Sequence, residues 1–491
     1  MRHKNLRVPG VLLSLTIIFV LSVFFLFSYK QDERKFTGLT TELFKSELLP
    51  NTINMHYTVA YPKDFGIYSY NAALPVYSHK QELIGNARLE NYIDILADID
   101  SSKLDSEDAY TYNLLNDYLK LSFNGLDYMY YGEPLSPGSG AQSQLPILLA
   151  EYTFRTKRDI DDYLAVLEQI PGYFEGFIRY EQEKAEAGLM MADYSLDKVI
   201  LQCDTIIDEN SLKLGTHFLQ TTFQERINTL LTQGIISEKD AGIYISTNNR
   251  LLSDVVLPAY ERLGDGLLIL KGNGVNGEGL AHFPQGKEYY EYVIHKSVGN
   301  TRNVEDIKKC LYDHFNKEYK KFQDFVAANP FLLTNSAICT NSSIFPFVSP
   351  GDILKDLQQR MTSDFPALPA SSEDSFPDCR IKAVSNSLAD FSAPAFYLTP
   401  PLDDCSKNVI YINEKECPDG LALYTTLAHE GYPGHLYQTI ATLSGDIHPL
   451  RYLLSATGYE EGWATYVETY SYKYAGFSDT LTSFLQADQI A

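Results

Sequence analysis

The sequence predicts a mainly α-helical protein with one small β-sheet, an α+β fold. Apolar residues recur at helical spacing through most of the chain, whereas only one stretch has the β-branched character of a buried strand. Hydrophobic residues make up 45% and charged residues 21% of the sequence, proportions typical of a globular protein. Because 491 residues exceed one ordinary core, we expect an N-terminal segment at 1–29, a helical region at 30–270 and a second region at 271–491.

The N-terminus combines a basic tip with an uncharged apolar run. Arg2, Lys4 and Arg7 precede residues 8–29, which carry no charge and are long enough to span a bilayer as a helix. The basic flank should stay in the cytoplasm, which places the rest of the chain outside. A cleaved signal peptide is the alternative, but the run lacks a small-residue cleavage pattern. We therefore predict an uncleaved membrane anchor.

Helical periodicity continues through most of the following chain. The predicted helices cover residues 39–49, two segments within 86–123, and residues 159–183, 212–231, 245–263, 289–295 and 304–328. Pro171 is expected to interrupt the helix at 159–183. The Gly, Pro and Ser content of residues 128–140 predicts a loop, whose tyrosines either line a peptide cleft or pack on the surface. Residues 270–279 are glycine-rich and are the clearest boundary candidate.

One small sheet is expected within residues 393–413. Prolines favour an extended backbone over residues 393–401. Residues 409–413 are β-branched and bounded by polar residues, as in a strand. Together these segments predict a small sheet within an otherwise helical protein.

Charge and cysteine content limit the possible partners. The net charge of -23 disfavours nucleic acids and anionic surfaces. The six cysteines are compatible with disulfides in an extracytoplasmic compartment. Cys405 and Cys417 flank one short segment and are candidates for closing a small loop, with free thiols as the alternative. None of the cysteines has the C-x-x-C spacing of a zinc ribbon, so none is assigned to a metal.

A candidate metal motif lies near the end of the apolar run at residues 421–428. His429 is followed by Glu430 and then, six residues after the first histidine, by His435. Imidazole nitrogens are good ligands for Zn²⁺, and a neighbouring glutamate can take a proton from water. On an ideal helix, six residues place two side chains about 120° apart, so both histidines can bind one ion only if the helix is deformed between them.

The residues between the two histidines can produce this deformation. Pro433 lacks a backbone donor, and Gly431 and Gly434 permit dihedral angles closed to other residues. We predict a helix that ends near Glu430, a bulge over Gly431 to Gly434, and a second helix that carries His435. The alternative is a simple helix-ending turn between unrelated histidines.

A second motif follows 26 residues after His435, at Glu461. Zinc hydrolases of the thermolysin type complete the ligand set with a glutamate from a later helix and leave the fourth position open. Glu461 is therefore the predicted third ligand, with Glu460 as its rival. Trp463, the only tryptophan of the chain, is interpreted either as a rigid wall that excludes water or as core packing.

Three further side chains are candidates for supporting roles. Glu468 lies one heptad beyond Glu461, on nearly the same helical face, and can orient a ligating histidine. A solvated surface position is the interpretation of Glu468 that we favour. Tyr466 and Tyr411 are candidates for substrate contact or for support of the ligands.

The two motifs together resemble the bacterial domain-of-unknown-function 885 family. Its members carry H-E-x-x-P-G-H and E-G-W-A in this order, and further similarity extends from about Phe36 onwards, including residues 144–151 and 286–290. The resemblance implies a zincin-like, mostly helical metallopeptidase. Family members usually continue beyond residue 491, which implies that this chain is truncated at its C-terminus.

Roles for individual residues follow from the resemblance. It implies that His429, His435 and Glu461 bind one Zn²⁺ ion and that Glu430 is the general base. In zincins an edge strand near the motif helix binds the substrate backbone by strand addition. The strand at residues 409–413, which contains Tyr411, is the candidate for this role, and a buried hairpin without substrate contact is the alternative.

The function that these observations favour is zinc-dependent hydrolysis of peptide bonds on the outer face of the membrane. No convincing phosphate-binding loop or sugar-site pattern is present, so peptides are the expected substrates. An anchored peptide-binding protein with a structural or lost metal is the alternative, although a structural site does not need Glu430 beside its ligand. Hydrolysis of a non-peptide amide is a third possibility.

Overall fold

The computed structural model describes residues 30–274, 277–331, 349–368, 377–390, 392–445, 447–454 and 456–490. Helices account for most of these residues, and the strands form one three-stranded sheet. The predicted mainly helical fold with a small sheet is therefore confirmed. The predicted membrane anchor, residues 8–29, lies outside the described residues. Among the residues that are described, no helix is long and apolar enough to cross a membrane.

The helices and strands are as follows. The first half contains α1 (residues 30–48), α2 (Thr52–Thr58), α3 (His79–Ala97), α4 (Ser106–Asn124), α5 (Ala141–Glu151), α6 (Lys157–Glu186), α7 (Asp193–Ile206), α8 (Glu209–Leu214), α9 (Phe218–Thr232) and α10 (Glu238–Leu251). The second half contains α11 (Leu257–Leu268), α12 (Gly286–Val298), α13 (Val304–Ala328), α14 (Pro350–Met361), β1 (Asp378–Ala383), α15 (Asn386–Ala389), β2 (Ala395–Leu398), β3 (Lys407–Ile412), α16 (Gly420–Glu430), α17 (His435–Leu443), α18 (Thr457–Tyr470) and α19 (Asp479–Ile490).

The chain divides into two compact units. The first comprises Met1–Glu47, Glu82–Asp127 and His448–Ser455, and the second comprises Leu48–Gln81, Tyr128–Ile447 and Ala456–Ala491. Both candidate motifs belong to the second unit. The residues on either side of the boundary predicted near residue 270 belong to the same unit.

Apolar periodicity correctly predicted most helices of the chain. Leu39, Leu43 and Phe44 are almost fully buried along α1, and α13 begins and ends at the predicted residues. The loop predicted at residues 128–140 contains neither a helix nor a strand after the 3₁₀ turn Gly125–Tyr128, and its tyrosines pack in a cluster with Phe283 and Tyr289. The packing interpretation of these tyrosines is therefore confirmed.

The predicted interruption of a helix at Pro171 is wrong. The helix α6 is 30 residues long and continues through Pro171. A proline inside a helix removes one backbone hydrogen bond and costs about 3 kcal/mol. Leu167, Ile170 and Phe174 on the same face are 0–1% exposed, and each such burial contributes about 1.5–3 kcal/mol. The buried face of α6 therefore outweighs the cost of the proline.

The second unit contains two hydrophobic cores that meet at the sheet. One core is formed mainly by α5–α7 and α9–α11, and the other by α14, α16, α17 and α19. In β3, Val409 and Tyr411 contribute to the first core, whereas Ile410 and Ile412 contribute to the second. Since successive side chains of a strand point to opposite faces, this explains why residues 409–412 of β3 are all apolar.

The strand at residues 409–413 forms as predicted, but its expected position at the edge of the sheet is wrong. The order of strands is β1–β3–β2, so β3 is central. It pairs parallel with β1, where Ile381 faces Ile410, and antiparallel with β2, where Tyr397 faces the same residue. The sequence did not indicate β1, because this edge strand alternates charged and apolar residues over only six positions.

The proposed disulfide between Cys405 and Cys417 is also wrong. Cys203, Cys310, Cys379, Cys405 and Cys417 are all free thiols, and Cys339 lies outside the described residues. The extended strand β3 separates Cys405 from Cys417. Six residues of strand span about 20 Å, whereas the Cα atoms of a disulfide lie about 4.4–6.8 Å apart.

Candidate metal centre

The candidate site is built on a broken helix. The helix α16 ends at Glu430 and α17 begins at His435, as the sequence predicted. Gly431 (φ -106°, ψ -103°) and Gly434 (φ -81°, ψ -135°) have non-helical dihedral angles. The peptide bond before Pro433 is cis. The backbone therefore leaves the axis of α16 for four residues before the second histidine.

Both glycines are required because backbone and side chains approach them closely. A Cβ atom on Gly434 would lie 1.7 Å from the carbonyl oxygen of His429. A Cβ atom on Gly431 would lie 2.5 Å from Cδ2 of Leu354 and 2.8 Å from the carbonyl oxygen of Leu427. The start of α17 is thus held directly against the end of α16. As a result, the rings of His429 and His435 lie 4.8 Å apart between centroids.

Three side chains from three helices converge on one point. One ligand atom each of His429, His435 and Glu461 lies within 4.8 Å of the other two. The Nε2 atoms of His429 and His435 lie 3.6 and 3.7 Å from the two carboxylate oxygens of Glu461. Ligands about 2.1 Å from a tetrahedral zinc ion lie about 3.4 Å from one another. The two separations that involve Glu461 are close to this value, and the rival ligand Glu460 is not part of the group.

The carboxylate of Glu468 contacts the first histidine. Its Oε2 atom lies 3.0 Å from Nδ1 of His429, and its Oε1 atom accepts a hydrogen bond from Nε2 of Gln489 at 2.8 Å. The favoured interpretation of Glu468 as a solvated surface residue is therefore wrong, and the orienting contact is present. Because Nδ1 of His429 is engaged by the carboxylate, its Nε2 atom is the one that faces Glu461.

The candidate base Glu430 is held by the edge of the sheet. Its Oε2 atom accepts a hydrogen bond from the backbone N–H of Tyr397, in β2, at 2.9 Å. Burial raises the pKa of Glu430 to about 7, although the charge of His429 and the N–H of Tyr397 oppose the shift. A carboxylate with such a pKa can both accept and return a proton near neutral pH.

The two histidines have opposite pKa shifts. Burial alone would lower the pKa of His429, but the hydrogen bond with Glu468 and the charges of Glu430 and Glu461 outweigh it and raise this pKa. Burial and the neighbouring charge of His429 lower the pKa of His435. The carboxylates thus create a negative environment in which a bound cation would replace the proton of His429.

Trp463 supports the bend between the two ligand-bearing helices. Its Nε1–H donates to the carbonyl oxygen of Pro433 at 2.9 Å, and its ring stacks on Tyr437 at 6.3 Å between centroids. The indole also contacts Phe365 edge-on. Core packing and stabilisation of the bend are therefore the roles visible for Trp463.

The other two candidates lie away from the three converging side chains. Tyr466 is 57% exposed and contacts Trp463 and Tyr470, about 140° around the axis of α18 from Glu461. The hydroxyl of Tyr411 donates to Glu151, on the face of the sheet opposite to α16. The structure brings neither side chain to the candidate site.

Two contacts of the site had no signal in the sequence. The N–H of Tyr397 is a backbone group, and its position depends on how β2 packs beside α16. Gln489 reaches Glu468 from a separate helix. Neither contact follows from local spacing, because each depends on tertiary packing.

Comparison with known proteins gives a family and a fold. The family model described as "Bacterial protein of unknown function (DUF885)" matches residues 62–489. No curated protein matches the chain. A solved structure described as "the putative lipoprotein" from Colwellia psychrerythraea has a TM-score of 0.73 at 18% identity and covers 94% of this chain and 81% of its own. A "putative lipoprotein of unknown function" from Shewanella oneidensis has a TM-score of 0.54 at 13% identity, with coverages of 91% and 80%. At these identities the similarity concerns the fold alone.

Proposed function

The chain belongs to the DUF885 family of bacterial proteins of unknown function, and we propose that it is a zinc-dependent peptidase. The observation that carries this proposal is the convergence of His429, His435 and Glu461 within 4.8 Å. A glutamate with a pKa near 7, Glu430, directly follows the first of these residues. A structural metal site does not need such a base beside its ligand.

The donor set fits zinc better than other common ions. Two imidazoles and one carboxylate match the three protein ligands of catalytic zinc sites, whereas Ca²⁺ and Mg²⁺ prefer oxygen ligands. Three protein ligands leave a fourth coordination position for water or substrate. The side chain of Glu461 is 56% exposed, whereas those of the two histidines are 17–19% exposed. The proposed centre is therefore open to solvent on the side of Glu461.

The residues around the centre have complementary roles in the proposed reaction. A bound Zn²⁺ ion would polarise the scissile carbonyl and lower the pKa of water to about 7. Glu430 accepts a proton from the attacking water and donates it to the leaving amine. The N–H of Tyr397 holds Oε2 of Glu430, which leaves Oε1 for this transfer. Glu468 holds the ring of His429 in the orientation that presents Nε2.

Peptides are the proposed substrates because the base lies beside a sheet edge. Among the described strands, β2 pairs only with β3, and Tyr397 of β2 contacts Glu430. An extended peptide can add to such an edge through backbone hydrogen bonds. This assigns to β2 the role that the sequence had suggested for β3.

We also propose that the protein acts outside the cytoplasm. The uncharged apolar run at residues 8–29 follows a basic tip, which is typical of a segment that directs export or anchors a protein. Two proteins of the same fold are named as lipoproteins, and this naming agrees with an exported, membrane-associated protein.

The test is a comparison of wild type with Glu430→Gln for bound zinc and for peptide cleavage. We expect both proteins to retain zinc and only the wild type to cleave peptides, because the neutral amide introduced by the substitution cannot accept a proton from water. Glu414→Gln is the matched control, since Glu414 is exposed and lies outside the site. Bound zinc without cleavage of any peptide by the wild type would favour the binding protein with a structural metal. A screen of non-peptide amides covers the third possibility.

A further inference from the structure

A fully buried lysine lies between two glutamates near the C-terminal end of α6. The side chains of Lys184 and Glu181 are 0% exposed, and that of Glu133, in the loop at residues 128–140, is 30% exposed. The Nζ atom of Lys184 lies 2.6 Å from Oε1 of Glu133 and 3.6 Å from Oε2 of Glu181. The proposed peptidase reaction gives none of these three residues a role.

The ammonium group of Lys184 is held in place by the loop. Its Nζ atom also donates to the carbonyl oxygen of Gly132 at 2.9 Å and lies 5.8 Å from the ring centroid of Tyr180. Because Gly132 directly precedes Glu133, one short segment both holds the nitrogen and presents the carboxylate to it. Two groups fixed in contact in this way react with effective molarities of up to about 10⁵–10⁸ M.

The charges of the three groups do not cancel. One ammonium group faces two carboxyl groups, and the buried Oε2 of Glu133 and both oxygens of Glu181 have no hydrogen-bond partner among the described residues. An unpaired charge in such surroundings is costly, so one carboxyl group holds a proton instead. Burial accordingly raises the pKa of Glu181 to about 7, although the charge of Lys184 opposes this shift. Burial also raises the pKa of Glu133.

This arrangement contains the groups that amide formation requires. The attraction within a buried ion pair barely repays the cost of removing both charges from water. Transfer of the shared proton from Nζ of Lys184 to Oε1 of Glu133 leaves a neutral amine, which is a nucleophile, in contact with a carboxylic acid. The protonated carboxyl group of Glu181 lies beside the same nitrogen, where it can pass protons between the reacting groups.

We propose that Lys184 and Glu133 condense to form an isopeptide bond, with Glu181 as the acid–base catalyst. A bond forms between Nζ of Lys184 and Cδ of Glu133, and the bond from Cδ to one carboxyl oxygen breaks. Glu181 donates a proton to the departing oxygen and accepts one from the nitrogen, so that it returns to its starting state. The ammonium and carboxylate groups become one amide and one water molecule, and the step needs no oxidant or cofactor.

The bond fastens the loop at residues 128–140 to α6. It replaces a buried ion pair by a neutral amide and, as a disulfide does, it restricts the unfolded chain. The described cysteines are free thiols, so disulfides do not supply such a link in the described part of the chain. The expected benefit is therefore stabilisation of this loop by a covalent bond between distant segments.

The test is peptide mapping of the denatured, full-length protein by mass spectrometry. Condensation lowers the mass by one water, about 18 Da, and removes the positive charge that trypsin recognises after Lys184. Without the bond, Glu133 and Lys184 lie in separate tryptic peptides, residues 121–155 and 180–184. With the bond, we expect no cleavage after Lys184 and one branched peptide that joins residues 121–155 to residues 180–198.

The ion pair between Lys382 and Glu151 is an internal control. It is nearly as short, at 2.7 Å, but the side chain of Lys382 is 35% exposed, so water solvates the ammonium group. Trypsin should therefore cleave normally after Lys382. An equal degree of crosslinking at this pair would contradict the roles assigned to burial and to Glu181.

Two variants test the catalyst. Glu181→Gln should slow condensation about 10²–10⁴-fold, the usual contribution of a general acid–base group, and should restore cleavage after Lys184. Glu186→Gln, at an exposed position of the same helix, should keep the branched peptide, and circular dichroism checks that both variants fold. Crosslinking that persists in Glu181→Gln refutes the role of Glu181. Complete cleavage after Lys184 in the wild type refutes the bond itself, independently of any variant and of peptidase activity.

Discussion

Gly434 should be indispensable for metal binding although it is not a ligand. In Gly434→Ala, the new Cβ atom would lie 1.7 Å from the carbonyl oxygen of His429 and 2.3 Å from that of Ala428. Both atoms belong to the backbone of α16, so no flexible side chain can move aside. Relief of the contact to an ordinary separation requires a displacement of about 1.5 Å, since real Cβ atoms essentially never come within 3.0 Å of another heavy atom.

This displacement moves His435, which directly follows Gly434, away from His429 and Glu461. Distances in metal sites are tolerated to within about 0.2 Å. A shift several times larger should weaken zinc affinity by more than the roughly 10–100-fold that accompanies loss of a supporting contact. Overpacking of this kind also costs about 1–3 kcal/mol of stability. Competition titration with a zinc chelator and thermal unfolding measure these two effects.

The matched control is Gly462→Ala, in the helix that carries Glu461. A Cβ atom on Gly462 would meet no atom of the described residues within 4 Å, and replacing glycine by alanine inside a helix stabilises it by about 0.5–1 kcal/mol. This variant should bind zinc as the wild type does and unfold at a slightly higher temperature. Wild-type zinc affinity in a folded Gly434→Ala protein would refute the role assigned to the bend.

Two further predictions concern a hydrogen bond and a buried acid. Glu468→Gln should lower zinc affinity about 10–100-fold without unfolding the protein, as read by chelator competition and circular dichroism. In α6, neither oxygen of the fully buried Glu181 has a hydrogen-bond partner among the described residues, although Nζ of Lys184 lies 3.6 Å from Oε2. Burial raises the pKa of Glu181 from 4.5 to about 7, and the charge of Lys184 only partly opposes this shift. The folded state then binds more protons than the unfolded state between these pH values, so the free energy of unfolding should fall by up to about 3 kcal/mol as the pH rises from 4.5 to 7. Glu181→Gln should flatten this pH dependence in denaturant titrations, and an unchanged slope would contradict the assignment.

The sequence predicted the parts of the site that depend on local backbone chemistry. The six-residue spacing of His429 and His435, together with two glycines and a proline, was sufficient to predict where α16 ends and where α17 begins. Glu461 was predicted from the number and type of ligands that a catalytic zinc site needs. The helix ends are confirmed, and Glu461 lies beside the two histidines, because each inference concerns neighbouring residues or the ligand requirements of one ion. Metal binding by these three residues stays a prediction.

The parts that depend on tertiary packing were not predictable in the same way. Glu468 was expected at the surface because its position on α18 is compatible with either solvent or a histidine, and only the packing of α18 against α16 decides between them. The strand β3 was expected at an edge of the sheet because its neighbour β1 has too little apolar character to be recognised as a strand from the sequence. Pro171 was expected to interrupt a helix because the local cost of a proline is visible in the sequence, whereas the compensating burial of the helix face is not.

The break between α16 and α17 also explains the protonation states that the proposed reaction needs. In a continuous motif helix the base lies in the helix interior, but here Glu430 is the last residue of α16 and His435 the first of α17. The C-terminal end of a helix disfavours negative charge and the N-terminal end disfavours positive charge. These effects act in the same direction as burial, which raises the pKa of Glu430 and lowers that of His435. The deformation that brings the two imidazoles together thus also places the base where it can hold a proton near neutral pH, and the second ligand where it is already neutral.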